Sequence, residues 1–312
     1  MARIIFTKLT KRGLSSRTRD NQMGLRLKFN LVLLLVFAIG LGVTALISYD
    51  LLHRNARDEV MRNAGVMMEA ALSMRSYTNT QIRPLIPYSD EVFHPQSVPA
   101  YSATEIMTSL RKKYADYSYK EATLNPTNPR NKAVEWETDI VNVFRNEPER
   151  SEISGTRDTP TGQSLYLARP LQIKDKACLG CHTTAAEAPP AMVKIYGPNN
   201  GYGWKHMEVI GAQVVSVPMA LPIRNANRAF YTFMISLSAV FLTLFIILNV
   251  MMSLLIVRPI RRMSAAADKI STGDMDIAEF SENGKDEVSI LGKSFNRMRR
   301  SLAKAIEMID KA

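Results

Sequence analysis

The sequence predicts an α+β protein in which two membrane-spanning helices flank a folded domain and are followed by a pair of amphipathic helices. Residues 29–49 and 229–257 contain no charge over 21 and 29 positions, and each is long enough to cross a hydrocarbon core of about 30 Å. Residues 50–228, between these spans, have patterns typical of helices and of strands. A basic tail (1–28) precedes the first span, and residues 258–312 have apolar side chains at heptad spacing.

The distribution of charge predicts how the two spans are oriented. Residues 1–28 contain eight Lys or Arg and one acidic residue, and three arginines (258, 261 and 262) follow the second span. We therefore expect both termini in the cytoplasm of a bacterial inner membrane and residues 50–228 in the periplasm, with the first span an uncleaved anchor. The net charge of +11 is mainly a topology signal with some attraction to membrane lipid, and it does not indicate nucleic-acid binding.

The middle domain is expected to pack helices around a small antiparallel sheet. Alternating residues rich in aromatics predict the strand at 117–124, and the turn residues at 158–162 predict a hairpin between the strands that flank them. The first helix, from residue 55, continues the first span outward. The predicted strands are 117–124, 153–157, 163–173 and 209–217, the predicted helices are 55–74, 103–114 and 135–146, and 188–204 is predicted to be a loop.

The strongest chemical signal is the sequence Cys178-Leu179-Gly180-Cys181-His182, which contains both cysteines of the chain. At this spacing two thiols on one helical turn can add to the vinyl groups of haem, and the next histidine can bind the iron. A disulfide, a thioredoxin-like redox pair and half of a zinc site are the alternatives, although zinc requires two more ligands nearby. The motif favours one covalently bound haem c, attached outside the cytoplasm.

Several stretches in the middle domain resemble the Tll-like haem c sensor domain, a PAS-like extracytoplasmic module. The resemblance covers residues 60–220 and implies that Cys178 and Cys181 form the thioether bonds and that His182 is the proximal iron ligand. The stretches that carry it, in order, are 119–128, 136–137, 158–162, 178–182, 197–201 and 211–218.

The sequence departs from that family on the distal side of the iron. Relatives can use a cysteine from the early helix, but this chain has no third cysteine. Met74 is the distal candidate in the corresponding region, and a Tyr77 ligand or an open site suited to a small gas are the alternatives. Weaker candidates are Met67, Met68, His94 and His206 for the iron, and Lys120, Arg169 and Lys205 for the haem propionates.

The C-terminal segment resembles a HAMP domain. Pro259 lies just after the second span, where the membrane helix is expected to end, and an amphipathic helix runs from there to about residue 271. A connector (274–285) leads to a second helix that opens with Asp286-Glu287. Its apolar seam consists of Val288, Leu291, Phe295, Met298, Leu302, Ile306 and Ile309.

The HAMP resemblance implies a parallel four-helix coiled coil formed by a homodimer, with Pro259 and Glu287 as relay residues. An amphipathic tail lying on the membrane is the alternative. Together the two resemblances predict a non-enzymatic sensor that converts haem redox state or small-gas binding into a HAMP signal. A separate cytoplasmic kinase or coiled-coil partner is expected to supply the output. The alternative function is a membrane-anchored monohaem cytochrome that exchanges electrons with a redox partner.

Overall fold

The computed structural model describes residues 24–86, 89, 91–281 and 284–310, so most of the predicted basic tail lies outside the described residues. The chain divides into two compact units. One contains the residues up to Thr44 together with those from Met234 onward, and the other contains Ala45–Phe233. The helices are α1 (Leu25–Tyr77), α2 (Pro99–Arg111), α3 (Glu135–Asn146), α4 (Leu179–His182), α5 (Pro190–Tyr196), α6 (Ala220–Met251), α7 (Arg258–Ser271) and α8 (Glu287–Asp310); the strands are β1 (Ser118–Thr123), β2 (Ile153–Thr159), β3 (Gly162–Gln172) and β4 (Val209–Pro218).

Helices α1 and α6 contain the two apolar stretches. Both are long and apolar enough to cross a membrane, and the apolar windows are 0% and 6% buried within the protein. A core helix of this length would instead be covered by other elements. In the unit that contains the residues up to Thr44 and from Met234 onward, Phe37 and Phe241 stack in parallel, with ring centroids 4.7 Å apart. The prediction that the helix of the first span continues beyond residue 49 is confirmed, because α1 ends at Tyr77.

The middle unit is built on a four-stranded antiparallel sheet with strand order β1-β4-β3-β2. Strand β4 is central and almost entirely buried. Its alternate residues face opposite sides of the sheet, so Val215 and Val217 pack with α1 and α2 whereas Ala212 and Val214 pack with α3. The α1 residues in the first core are Val60, Ala64, Met68 and Ala71.

All four predicted strands and the helix at 135–146 are confirmed. The prediction of an unbroken loop at 188–204 is wrong, because α5 occupies 190–196. Pro190 lies in the first turn of this helix, where a missing N–H has no cost. The two prolines at 189 and 190 thus start a helix at a place where the sequence pattern suggested only a turn.

The helical backbone continues through the predicted end of the second span. Val257 and Arg258 both have right-handed helical dihedral angles, so the expectation that the helix ends here is wrong. Pro259 has no N–H to donate to the preceding turn, and its ring crowds the carbonyl four residues earlier. The chain accommodates this with a wider π-helical turn at Met252–Val257 directly before α7.

The connector between α7 and α8 is hydrogen-bonded to the buried side chain of Asn296. Asn296 on α8 accepts a hydrogen bond from the Phe280 N–H (3.1 Å) and donates one to the Phe280 carbonyl (2.8 Å). Asp286 caps α8 by accepting from the Ser289 N–H at 2.7 Å. The predicted relay residue Glu287 is exposed in the first turn of α8.

The close approach of β1 and β4 gives a testable prediction. A Cβ added at Gly211 would lie 2.9 Å from the Thr123 Cα atom of the paired strand, closer than van der Waals contact allows. We expect Gly211→Ala to lower the free energy of unfolding of the middle unit by about 1–3 kcal/mol. Thermal unfolding followed by circular dichroism on the purified protein in detergent measures this.

Gly65→Ala is the matched control. Gly65 lies within α1 and an added Cβ there meets no atom within 4 Å, so this variant is expected to unfold at the same temperature or slightly higher. Equal melting temperatures for the two variants would contradict the predicted strand contact.

Candidate functional site

The middle unit contains a cavity of about 400 Å³, within the range typical of small-molecule and cofactor sites. Its wall is formed by the end of α1 and the turns after it, by β1, by the end of β3 and by α4 and α5. The motif residues Cys178, Cys181 and His182 all face it. The structure therefore brings the sequence-predicted thiols and imidazole together at one cavity.

The two cysteines lie on consecutive turns of short helical segments. Cys178 ends a 3₁₀ turn and Cys181 lies in α4, so the three-residue spacing places both thiols on the same side. The turn begins with Asp175, which accepts a hydrogen bond from the Ala177 N–H at 2.8 Å. Neither cysteine takes part in a disulfide bond. Burial and the Asp175 carboxylate raise the pKa of Cys178, so its thiol is protonated at neutral pH.

His182 is oriented by a backbone carbonyl. Its Nδ1 atom lies 2.7 Å from the carbonyl oxygen of Gly201. A carbonyl oxygen can only accept, so Nδ1 carries the proton and Nε2 retains its lone pair. Burial lowers the pKa of His182, which keeps the ring neutral. A neutral imidazole with Nδ1–H bound to a carbonyl is the arrangement that metal-binding histidines commonly have.

Trp204 covers one face of this imidazole. The two rings stack with centroids 3.8 Å apart and planes 16° from parallel. A backbone hydrogen bond helps to hold the two residues in place, since the main-chain N–H of Trp204 donates to the His182 carbonyl at 3.2 Å. In the described part of the chain the buried Trp204 Nε1 has no hydrogen-bond partner. The sequence analysis did not single out Trp204, although it is one of two tryptophans and follows the glycine-rich segment 197–203.

The backbone on both sides of the Gly201 carbonyl is held by an asparagine from a distant part of the chain. Asn125 donates to the Tyr202 carbonyl (3.0 Å) and accepts from the Gly201 N–H (3.1 Å). Gly201 has φ of +85°, and a Cβ there would lie 2.7 Å from the Thr127 Cα atom. Only glycine fits this position. The geometry explains why the stretches at 119–128 and 197–201 occur together with the cysteine motif.

A buried ion pair forms the opposite part of the wall. Arg75 in the last turn of α1 and Glu121 on β1 both line the cavity, and Arg75 Nη1 lies 2.5 and 2.6 Å from the two carboxylate oxygens. Burial acts to lower the pKa of Arg75, but the adjacent Glu121 carboxylate outweighs it and the net shift is upward. Arg75 is therefore a permanent cation. Sequence patterns did not identify this pair, because its partners are 46 residues apart.

The distal candidate Met74 receives no support from this geometry. Its side chain packs against the core beneath the sheet, and among the described residues of α1 the cavity is lined by Arg75 and Ser76. Met67 and Met68 belong to the same core, and Tyr77 is exposed. None of these four is among the described residues that line the cavity.

The other candidates also lie away from the cavity wall. His94 and His206 are exposed. Lys120 pairs with Glu137 (2.7 Å), and Arg169 pairs with Glu69 and Glu152. The described basic residues that do line the cavity are Arg75, Arg83, Arg130 and Lys174. Among the described residues, no group of three or more His, Cys, Asp or Glu could hold a metal ion by itself.

Comparisons with known proteins agree with this organisation. The family model of Tll0287-like domains matches residues 53–218, and that of the HAMP domain matches residues 251–304. No curated protein matches the chain. Among solved structures, the crystal structure of the cyanobacterial heme-protein Tll0287 is similar to this chain with 16% sequence identity and a TM-score of 0.41, covering 51% of this chain and 95% of that one. Because the first family match spans more than half of the 312 residues, this chain belongs to the Tll0287-like family and carries a HAMP domain after the family domain.

Proposed function

We propose that this protein is a membrane-bound haem c sensor whose state is passed to a HAMP domain. The observation that carries the proposal is the meeting of two cysteine thiols and one imidazole lone pair at a single cavity of the Tll0287-like domain. The combination of this family domain with a HAMP domain supports a signalling role. The proposed role is not enzymatic.

The residues at the cavity fit a covalently bound haem. Cys178 and Cys181 would hold it through thioether bonds, and His182 would bind the iron through Nε2. Arg83, Arg130 and Lys174 on the cavity wall would balance the two propionate carboxylates. When bound, the haem would supply a one-electron redox centre or a site for a small diatomic ligand.

The protein's own part is to hold His182 and to keep its surroundings dry. The Gly201 carbonyl fixes the tautomer, and Trp204 restricts rotation of the imidazole. Val60, Ala64, Met68 and Ala71 of α1 pack against the sheet, and Arg75 joins the end of that helix to β1. A change in charge or ligation at the cavity therefore acts on α1 and on the sheet, which leads through β4 into α6.

The HAMP domain would report this change as a dimer. In the single chain, most of the seam predicted on α8 is exposed, including Met298 (54%) and Ile309 (73%). Apolar residues at heptad spacing of this kind are normally covered by partner helices. Pro259, beside the π-helical turn, and Glu287, at the start of α8, are the proposed relay residues. The termini are proposed to be cytoplasmic and the haem domain periplasmic, in a bacterial inner membrane.

The cofactor assignment predicts a covalent haem that depends on the motif cysteines. Full-length protein produced in a cell with cytochrome c maturation should retain haem after denaturation, detected by haem staining of a denaturing gel. Cys178→Ser/Cys181→Ser should abolish the stained band. His182→Ala should alter the Soret spectrum. His206→Ala is the control and should not alter it, since His206 is exposed and its imidazole is hydrogen-bonded to the Lys174 carbonyl. A stained band in the double serine variant would refute covalent attachment.

The loop geometry predicts that Asn125 positions His182 from a distance. Asn125→Ala removes two hydrogen bonds that hold the 201–202 backbone, at a cost of about 1–3 kcal/mol in the free energy of unfolding. The loosened Gly201 carbonyl should let added imidazole compete for the iron at lower concentration. Optical titration with imidazole measures this. Asn142→Ala, an exposed change on α3, is the control and should titrate like the unmodified protein.

The signalling role itself predicts a redox- or ligand-dependent change at the HAMP domain. A spin label on Ser301→Cys, an exposed position of α8, should give an inter-subunit distance in dipolar EPR. That distance should differ between oxidised and reduced protein, or on adding carbon monoxide. Identical distances in every state would favour the alternative, an electron-carrying cytochrome. The same label in Cys178→Ser/Cys181→Ser should show no dependence on reductant.

A further inference from the structure

The Arg75–Glu121 ion pair is largely buried, although the Arg75 side chain is 24% exposed. The Glu121 side chain is 2% exposed, and both of its oxygens contact Arg75 Nη1. A second layer supports the carboxylate. Tyr119 donates its hydroxyl to Glu121 at 2.8 Å, and Gln213 Nε2 donates to the Tyr119 oxygen at 3.3 Å. Burial and the neighbouring carboxylate raise the pKa of Tyr119, so this hydroxyl remains a donor.

Such a network costs more desolvation free energy than apolar packing does. Removing two charges from water costs several kcal/mol per ion, and replacing a buried ion pair with apolar residues often leaves a protein equally stable. The neighbouring β positions show that this sheet can be packed with apolar side chains, since Ala122 and Val215 are completely buried. The pair is thus poorly explained by stability alone.

A second ion pair on the same strand provides a comparison. Lys120 and Glu137 are about as buried as Arg75 and Glu121, with side-chain exposures of 27% and 6%. Glu137 has a local structural task, because it accepts the Val134 N–H at the start of α3. Lys120 also donates to the Lys132 carbonyl. Among the described residues only Arg75–Glu121, of these two pairs, faces the cavity that contains Cys178 and His182.

We propose that the Arg75–Glu121 pair sets the electrostatic potential of the cavity and thereby the reduction potential of the haem held there. This inference rests on the proposed function. A cation beside the iron disfavours the more positive oxidised state, and the Glu121 carboxylate offsets that effect. The pair as a whole is neutral, and the supporting Tyr119 and Gln213 keep the offsetting charge fixed. The carboxylate of Glu121 supplies the negative charge that balances the guanidinium of Arg75.

The test is a spectroelectrochemical titration of the full-length haem protein. Glu121→Gln leaves the guanidinium unbalanced and should increase the reduced-to-oxidised ratio at the unmodified protein's midpoint at least tenfold, equivalent to about 59 mV for one electron. Arg75→Met/Glu121→Gln removes both charges and should return the ratio to within about threefold of the unmodified protein. Glu137→Gln is the matched control and should leave the midpoint unchanged.

The outcomes separate the two claims. If Glu121→Gln takes up haem but titrates with the same midpoint as Glu137→Gln, the pair does not tune the cavity and the inference is overturned. An equal shift in Glu121→Gln and in the double variant would also overturn it, since an unbalanced charge would not be the cause. If the unmodified protein carries no haem at all, the proposed function fails, and the inference fails with it.

Discussion

The hydrogen bond from His182 Nδ1 to the Gly201 carbonyl is the interaction on which the site depends. It fixes the tautomer, so the lone pair of Nε2 is available at the cavity. The bond needs the Gly201 carbonyl to point at the ring, and that requires a left-handed glycine pressed against Thr127. Asn125 then ties this loop to the segment after β1. The hydrogen bond at the imidazole thus depends on Asn125, which lies 76 positions before Gly201 in the chain.

The strands of the antiparallel sheet contribute side chains to the packing on both of its faces. Strand β4 lies between β1 and β3, and its alternating residues contribute to two separate cores. Glu121 of β1 faces the cavity, whereas its neighbour Lys120 pairs with α3 on the other side of the sheet. The two-residue period of a strand therefore separates the residue proposed to tune the cavity from the residue that stabilises the helix.

The fold was largely accessible from sequence because its signals are local. Alternation predicted β1, and the turn residues at 158–162 predicted the hairpin of β2 and β3. The cysteine motif predicted the short helix that lines the cavity. Trp204 and the Arg75–Glu121 pair escaped prediction because their roles come from contacts across 22 and 46 residues. Met74, the distal candidate, shows a limit of reading a helix from its sequence. Adjacent positions on a helix differ in direction by about 100°, and the sequence alone does not say which of them faces the cavity. Arg75 faces the cavity and Met74 faces the core.

Arg75 combines an electrostatic and a mechanical position in one side chain. It belongs to the last turn of α1, so any force on its guanidinium acts on that helix. Its Nη1 atom donates to the carboxylate of Glu121, a residue of the sheet that lines the same cavity. A change of one unit of charge in the cavity alters the energy of the guanidinium and of the carboxylate in opposite directions. In the proposed function, a sensor that couples redox chemistry to helix movement would need a charge at the contact between cavity and helix. Arg75 meets that requirement, because it lies in the last turn of α1 and lines the cavity.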